Sequence, residues 1–130
     1  MNVFISHSDK DSALAYKLSD GLNQFGFSVW DERAIFPGDN YADIIGKALK
    51  NSQAMVVLLT PDGLSSQNVQ SEINYALAEQ AYSGRLIPVL ANSVSIEQIP
   101  WVLRRFQVVN IDNQEQEGIK QVAEALRNAA

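Results

Sequence analysis

Short apolar runs alternate along the chain with longer stretches in which apolar residues recur every three or four positions. Val3-Phe4-Ile5 is a buried-strand run. Ser8 follows with Asp11 three residues on, the spacing of a capping box at a helix start. Leu14, Leu18, Leu22 and Phe25 then form one helical face, which Gly26 ends. Phe27-Ser28-Val29-Trp30 alternates as a second strand. Residues 31–39 form a loop carrying Pro37-Gly38, and Asn40 or Asp39 caps the next helix. The core side of that helix is Tyr41, Ile44, Ile45, Ala48 and Leu49. Met55-Val56-Val57-Leu58-Leu59 is apolar throughout, as a central strand covered on both faces must be. Thr60-Pro61-Asp62-Gly63-Leu64-Ser65-Ser66 leaves this run and opens a helix carrying Glu72, with Val69, Ile73, Ala76 and Leu77 inward and Gly84 as its breaker. Leu86-Ile87-Pro88-Val89-Leu90 is a fourth strand, placed near a sheet edge by its proline. An irregular piece through Ile99-Pro100-Trp101 leads to a fifth strand, Phe106 to Ile111. Ile119, Val122, Ala123 and Leu126 mark a closing helix.

This alternation predicts one α/β domain with a mostly parallel five-stranded sheet and helices on both faces. Periodicity alone does not fix the strand order; the expected one is 2-1-3-4-5, a flavodoxin-like three-layer sandwich. Ligands of such sheets bind beyond the carboxyl ends of the strands, near a switch in strand order. Three loops leave those ends near the middle: Ser6-His7-Ser8, Trp30-Asp31-Glu32-Arg33 and Thr60-Pro61-Asp62.

Composition narrows the chemistry. A chain of 130 residues with a formal net charge of -5 has no general basic field for nucleic acid, and Arg104-Arg105 is its only adjacent basic pair. The lack of cysteine excludes disulfides, thiolate chemistry and Cys-based zinc sites. His7 is the only histidine, so no histidine cluster can hold a metal, and none is expected. No apolar run is long enough for a bilayer, and strand-like residues directly after Met1 argue against a signal peptide. No Walker A sequence and no Gly-x-Gly-x-x-Gly after the first strand are present. The chain is therefore not built to hold NAD as a redox cofactor or ATP as a phosphoryl donor.

Glu72 borders the apolar stripe of its helix, beside Val69 and Ala76 and on the side of Tyr75 and Glu79. From spacing alone it reads as a solvated helix glutamate. His7 suits strand-end packing or a ligand contact better than acid–base catalysis. Ser6 or Ser8 as a nucleophile would need an activated base, and capping accounts for Ser8. Trp30 is core or cleft wall, with a face to offer a base. Asp31 and Arg33 are loop charges, solvated by default, with substrate contact as the sharper reading. Trp101 is expected to pack under the fourth and fifth strands.

Val3 to Ser8 resembles the first signature of the Toll/interleukin-1 receptor (TIR) domain family, an aromatic-Ile-Ser followed by His or Tyr. Residues 27–39 look like the second strand and the family's BB loop, with Pro37-Gly38-Asp39 as the usual loop end. Ser66 through Leu77 looks like the glutamate-bearing helix, and Phe106 to Ile111 is similar to the last strand. The likeness covers essentially the whole chain and points to the bacterial NAD-consuming branch. It implies that Glu72 is catalytic and that Ser6, His7, Ser8, Trp30, Asp31 and Arg33 contact substrate. It also implies that Phe36, Pro37, Gly38 and Asp39 form an assembly loop. NAD+ would be a substrate rather than a cofactor, cleaved to nicotinamide and ADP-ribose or a cyclic variant. The implied setting is cytoplasmic anti-phage immunity, with self-association and a fused or separate sensing domain. The alternatives are a non-catalytic scaffold domain that acts by self-association or by binding other TIR domains, and an enzyme like the nucleoside 2-deoxyribosyltransferases. Two features depart from the family pattern. Asn68 stands where many bacterial relatives have a tryptophan, and Asp31 follows Trp30 directly where Trp-x-Asp is usual.

Overall fold

The computed structural model describes residues 1–82, 84–112 and 114–129, with Ala34 described by its backbone alone. Strand β3, Ala54–Leu59, has every residue fully buried. Such a strand needs cover on both faces, and it has it. Ala54, Val56 and Leu58 join a core with Leu18, Leu22, Val122 and Leu126. Met55, Val57 and Leu59 join a second core with Phe4, Leu49, Val69 and Ile73. The period-2 alternation of the strand thus builds two cores from one segment. Helices α1 (Ser12–Gln24) and α5 (Glu115–Ala129) cover the first face; α2 (Tyr41–Asn51) and α4 (Gln67–Ala78) cover the second.

The sheet is parallel throughout, in the order β2-β1-β3-β4-β5, as expected. Its other strands are β1 (Asn2–Ser6), β2 (Ser28–Trp30), β4 (Leu86–Leu90) and β5 (Val109–Asn110). Pro88 sits near the edge as its chemistry requires. It faces Val57 on β3, while β5 pairs only with Val89 and Leu90. No ladder donor is missed on that side.

Several local expectations need correction. The side chain of Ser8 caps a 3-10 turn, Asp9–Asp11, and the α-helix starts only at Ser12. Asp11 does not close a capping box; its buried carboxylate accepts a hydrogen bond from Thr60 Oγ1 at 2.5 Å. The helix expected from Pro61 onward is two helices, α3 (Pro61–Ser65) and α4. Ser66 separates them, because its extended backbone lets its hydroxyl cap Val69 N–H. Helix α4 ends at Ala78, and Gly84, at φ +76°, serves the turn into β4 instead. The fifth strand shrinks to two residues because a 3-10 helix, Trp101–Arg105, takes up the approach. Trp101 does not pack under the sheet; it is 80% exposed on that short helix. Tyr41 is 48% exposed rather than packed in the core.

No helix among the described residues is long and apolar enough to cross a membrane. Among the same residues, no group of three or more His, Cys, Asp or Glu is arranged to hold a metal ion.

Candidate active site

Strand β1 lies between β2 and β3, so the strand order reverses at its end. Ser6 is the last residue of β1 and is fully buried. Its hydroxyl donates to Glu72 Oε1 at 2.6 Å. Glu72 stands in the second turn of α4, with Val69, Ile73 and Ala76 buried beside it. Burial pushes its carboxyl above the ordinary glutamate range. The Ser6 hydrogen bond and the nearby His7 oppose that shift, while Glu32 and Asp9 reinforce it. Glu72 is therefore no solvated helix glutamate.

His7 is held on both sides. Its Nδ1 donates to Ser8 O at 2.8 Å, and its Nε2 lies 2.9 Å from Glu32 Oε1. The His7 side chain is only 7% exposed, which leaves it a positioning role toward Glu32.

A groove of about 500 Å³ runs between α2 and α4, lined by Tyr41, Ile45, Leu49, Asn68, Ser71, Glu72 and Tyr75 among others. A narrow cleft of about 20 Å³ adjoins it, bounded by Phe4, His7, Trp30, Glu32, Tyr41 and Glu72. Trp30 stacks on Phe4 with centroids 5.5 Å apart and planes 2° from parallel. Tyr75 meets Tyr82 edge-on at 5.9 Å, and the Tyr82 hydroxyl donates to Leu49 O at 2.7 Å. These contacts brace the two walls. The Tyr41 phenol is pushed up, first by burial and then by Glu32, Asp9 and Glu72.

Ser6, His7, Trp30 and Glu72 thus come together as the sequence reading grouped them. Ser8, Asp31 and Arg33 do not line this cleft. Ser8 is occupied as a cap. Arg33 Nη2 lies 2.8 Å from both Asp31 Oδ2 and Asp20 Oδ1, and its guanidinium stacks 4.4 Å over Tyr16. Asp31 also accepts from Ser19 Oγ at 3.0 Å. Burial raises the Asp31 carboxyl, but the hydrogen bonds from Arg33 and Ser19 outweigh it and hold it below the usual range. This pair fastens the loop to α1. The residue the sequence reading passed over is Glu32. Asp31 is extended and caps the 3-10 turn Glu32–Ala34, so Trp30 and Glu32, on either side of it, project away from the Asp31 side chain into the cleft. That alternation was the available signal. Tyr41 and Tyr75 were missed as groove walls as well.

The Phe36–Asp39 loop stands apart as an exposed turn. Asp39 Oδ2 accepts from Phe36 N–H at 2.8 Å, Gly38 has φ +91°, and Phe36 is 68% exposed.

Comparison with known proteins agrees with this architecture. The chain is 26% identical over 114 residues to the stimulator of interferon genes protein of Magallana gigas, covering 85% of this chain and 28% of that protein. The solved TIR-STING receptor from C. gigas with 2′,3′-cGAMP superposes with a TM-score of 0.78 at 24% identity, covering 95% of this chain and 38% of that one. The TIR domain of a Toll-related receptor from Hydra magnipapillata gives 0.74 at 19% identity, covering 97% and 98%. A CMP N-glycosidase of Clostridium botulinum gives 0.60 at 22%, covering 94% and 97%. At these identities the structural likenesses establish the fold. The chain spans well under half the length of the curated protein and of the solved receptor it matches. The TIR domain family model matches residues 3–126, nearly the whole chain, and the protein belongs to the TIR domain family.

Proposed function

We propose that this domain hydrolyses NAD+ at the nicotinamide–ribose bond, releasing nicotinamide and ADP-ribose. The observation that carries the proposal is the Glu72 carboxyl, held by the buried Ser6 hydroxyl where the α2–α4 groove meets the switch in strand order. A glycosidase acting on an ether-linked sugar needs one carboxyl to protonate the leaving oxygen and another at the sugar. The nicotinamide of NAD+ is already cationic and departs neutral, so one carboxylate suffices. Glu72 stabilises the positive charge that develops on the ribose as the bond breaks. A solved CMP N-glycosidase on the same fold supports the choice of an N-glycosidic bond. NAD+ is the substrate here, not a retained cofactor. The setting that fits is cytoplasmic immune signalling, in bacteria by the sequence resemblance, with a sensing domain fused or separate.

Exposed Phe36 on its tight turn favours a second element of the reading, assembly through TIR–TIR contacts. A scaffold without catalysis is the rival account. Both are tested by incubating the protein with NAD+ across a dilution series and identifying products by proton NMR. Nicotinamide and ADP-ribose in equal amounts are expected, with specific activity rising with protein concentration or on tethering to beads. Folded protein that leaves NAD+ intact at every density leaves the scaffold account standing instead.

The pH dependence has a definite sign. The ionised carboxylate is the working form, and burial raises its pKa. Activity at low substrate should therefore rise with pH through a limb above the ordinary glutamate range. Saturation with cationic substrate favours the carboxylate, so the limb in kcat should lie lower than that in kcat/KM. Coincident limbs at the ordinary value would contradict the assignment.

Asn68 is exposed and lines the groove one turn before Glu72. It gives an adenine no aromatic face. Linear ADP-ribose should dominate, and Asn68→Trp should tighten NAD+ binding, since base–aromatic stacking is worth about 1–3 kcal/mol. A mainly cyclic product from the unaltered protein would count against this.

A further inference from the structure

His7 and Glu32 line the cleft with Glu72, Asp9 adds its field there, and the Tyr41 phenol feels the same carboxylates. Around them the walls are the aromatic side chains of Trp30, Tyr41 and Tyr75. No lysine or arginine among the described residues lines the groove or the cleft. Of the cations on the neighbouring loops, Arg33 is taken by Asp31 and Asp20, and Lys10, largely exposed, lies 3.9 Å from Asp62. Carboxylates and aromatic faces attract a cationic ring. A diphosphate finds no guanidinium or ammonium lining this groove, the groups that bind phosphate most strongly.

We infer that the site reads only the N-ribosylpyridinium end of its substrate, so that nicotinamide riboside, which lacks the phosphates and the adenosine, is hydrolysed along with NAD+. This inference rests on the NAD+-hydrolase reading. The C1′–N bond breaks with its electron pair going to the ring nitrogen, which turns the cationic ring into neutral nicotinamide. Water adds its oxygen to C1′ and releases one proton, leaving ribose. The counterpart with nicotinic acid carries a ring carboxylate into the field of Glu32 and Asp9 and is disfavoured. A neutral nucleoside such as cytidine needs its base protonated as it leaves. Both nitrogens of His7 already face oxygens, so the imidazole is not free to supply that proton.

The experiment compares kcat/KM for NAD+, nicotinamide riboside, nicotinic acid riboside and cytidine on protein tethered at one density. Nicotinamide riboside is expected within about tenfold of NAD+, because one charge-assisted bond to a phosphate would alone cost about tenfold or more when lost. Nicotinic acid riboside should be slower than nicotinamide riboside, cytidine should be inert, and Glu32→Gln should narrow the gap between the two pyridine ribosides. Rapid NAD+ cleavage with a loss beyond tenfold for nicotinamide riboside overturns the inference and leaves the hydrolase reading intact. Inertness toward all of them, NAD+ included, overturns both.

Discussion

Replacing Glu72 with glutamine is expected to slow NAD+ cleavage by about 100- to 1,000-fold, the usual cost of one pre-organised electrostatic partner. The same replacement is expected to raise the melting temperature at neutral pH. The two effects have one cause. The glutamine carbonyl can still accept from Ser6 Oγ, so the shape and the 2.6 Å contact survive. What is lost is a negative charge that burial disfavours. With its folded-state pKa raised, Glu72 holds a proton in the native protein at pH values where the unfolded chain has released it. Stability therefore falls as pH rises from the ordinary glutamate value through the raised one, and it stays lowered above that. Glutamine carries no such penalty. Its advantage should be full at neutral pH and should shrink as pH falls toward the ordinary carboxylate range. Thermal melts of both proteins at pH 7 and pH 4 read this directly. A variant that melts below the parent at pH 7 would mean that the charge supports the fold, the opposite of what its burial implies.

The second large effect is expected at Thr60. Its hydroxyl donates to Asp11 Oδ2 and accepts from Gly63 N–H at 2.9 Å, capping α3. Thr60 is fully buried and Asp11 is 6% exposed, so neither partner can turn to water. Thr60→Val keeps the volume and removes both bonds. A buried acceptor left unpaired and a lost cap together should cost about 2–4 kcal/mol of unfolding free energy. The bond also joins the turn after His7 to the helix pair that carries Glu72, so activity should fall by more than the unfolded fraction explains. Urea denaturation measures the first effect. A loss below about 0.5 kcal/mol, as at an ordinary surface site, would show that the bond is incidental.

Much of the fold was legible because its signals are local. The uninterrupted apolar run of β3 announced a strand covered on both faces. The helical spacing of Ile119, Val122, Ala123 and Leu126 marked α5, and all of them are buried. Pro88 told of a nearby edge. Errors fell where helical or strand periodicity says which residues share a face but not what lies opposite. Tyr41 shares the apolar side of α2, yet it lines a groove instead of the core. Trp101 is as apolar as any core residue, yet its 3-10 helix presents it to solvent. The place of the site was legible from the expected strand order, but Glu72 only by analogy. Ser6 and Glu72 are separated by 66 positions, and Asp11 and Thr60 by 49, so no local pattern links them. Glu32 was hidden between Asp31 and Arg33, whose charges form the more conspicuous pair.

The most direct measurement is the rate of nicotinamide release from NAD+ by the parent protein and by Glu72→Gln, tethered at the same density and both verified as folded. The account predicts steady release by the parent, with ADP-ribose in equal amount, and a rate about 100- to 1,000-fold lower for the variant. Equal rates from the two proteins would contradict it.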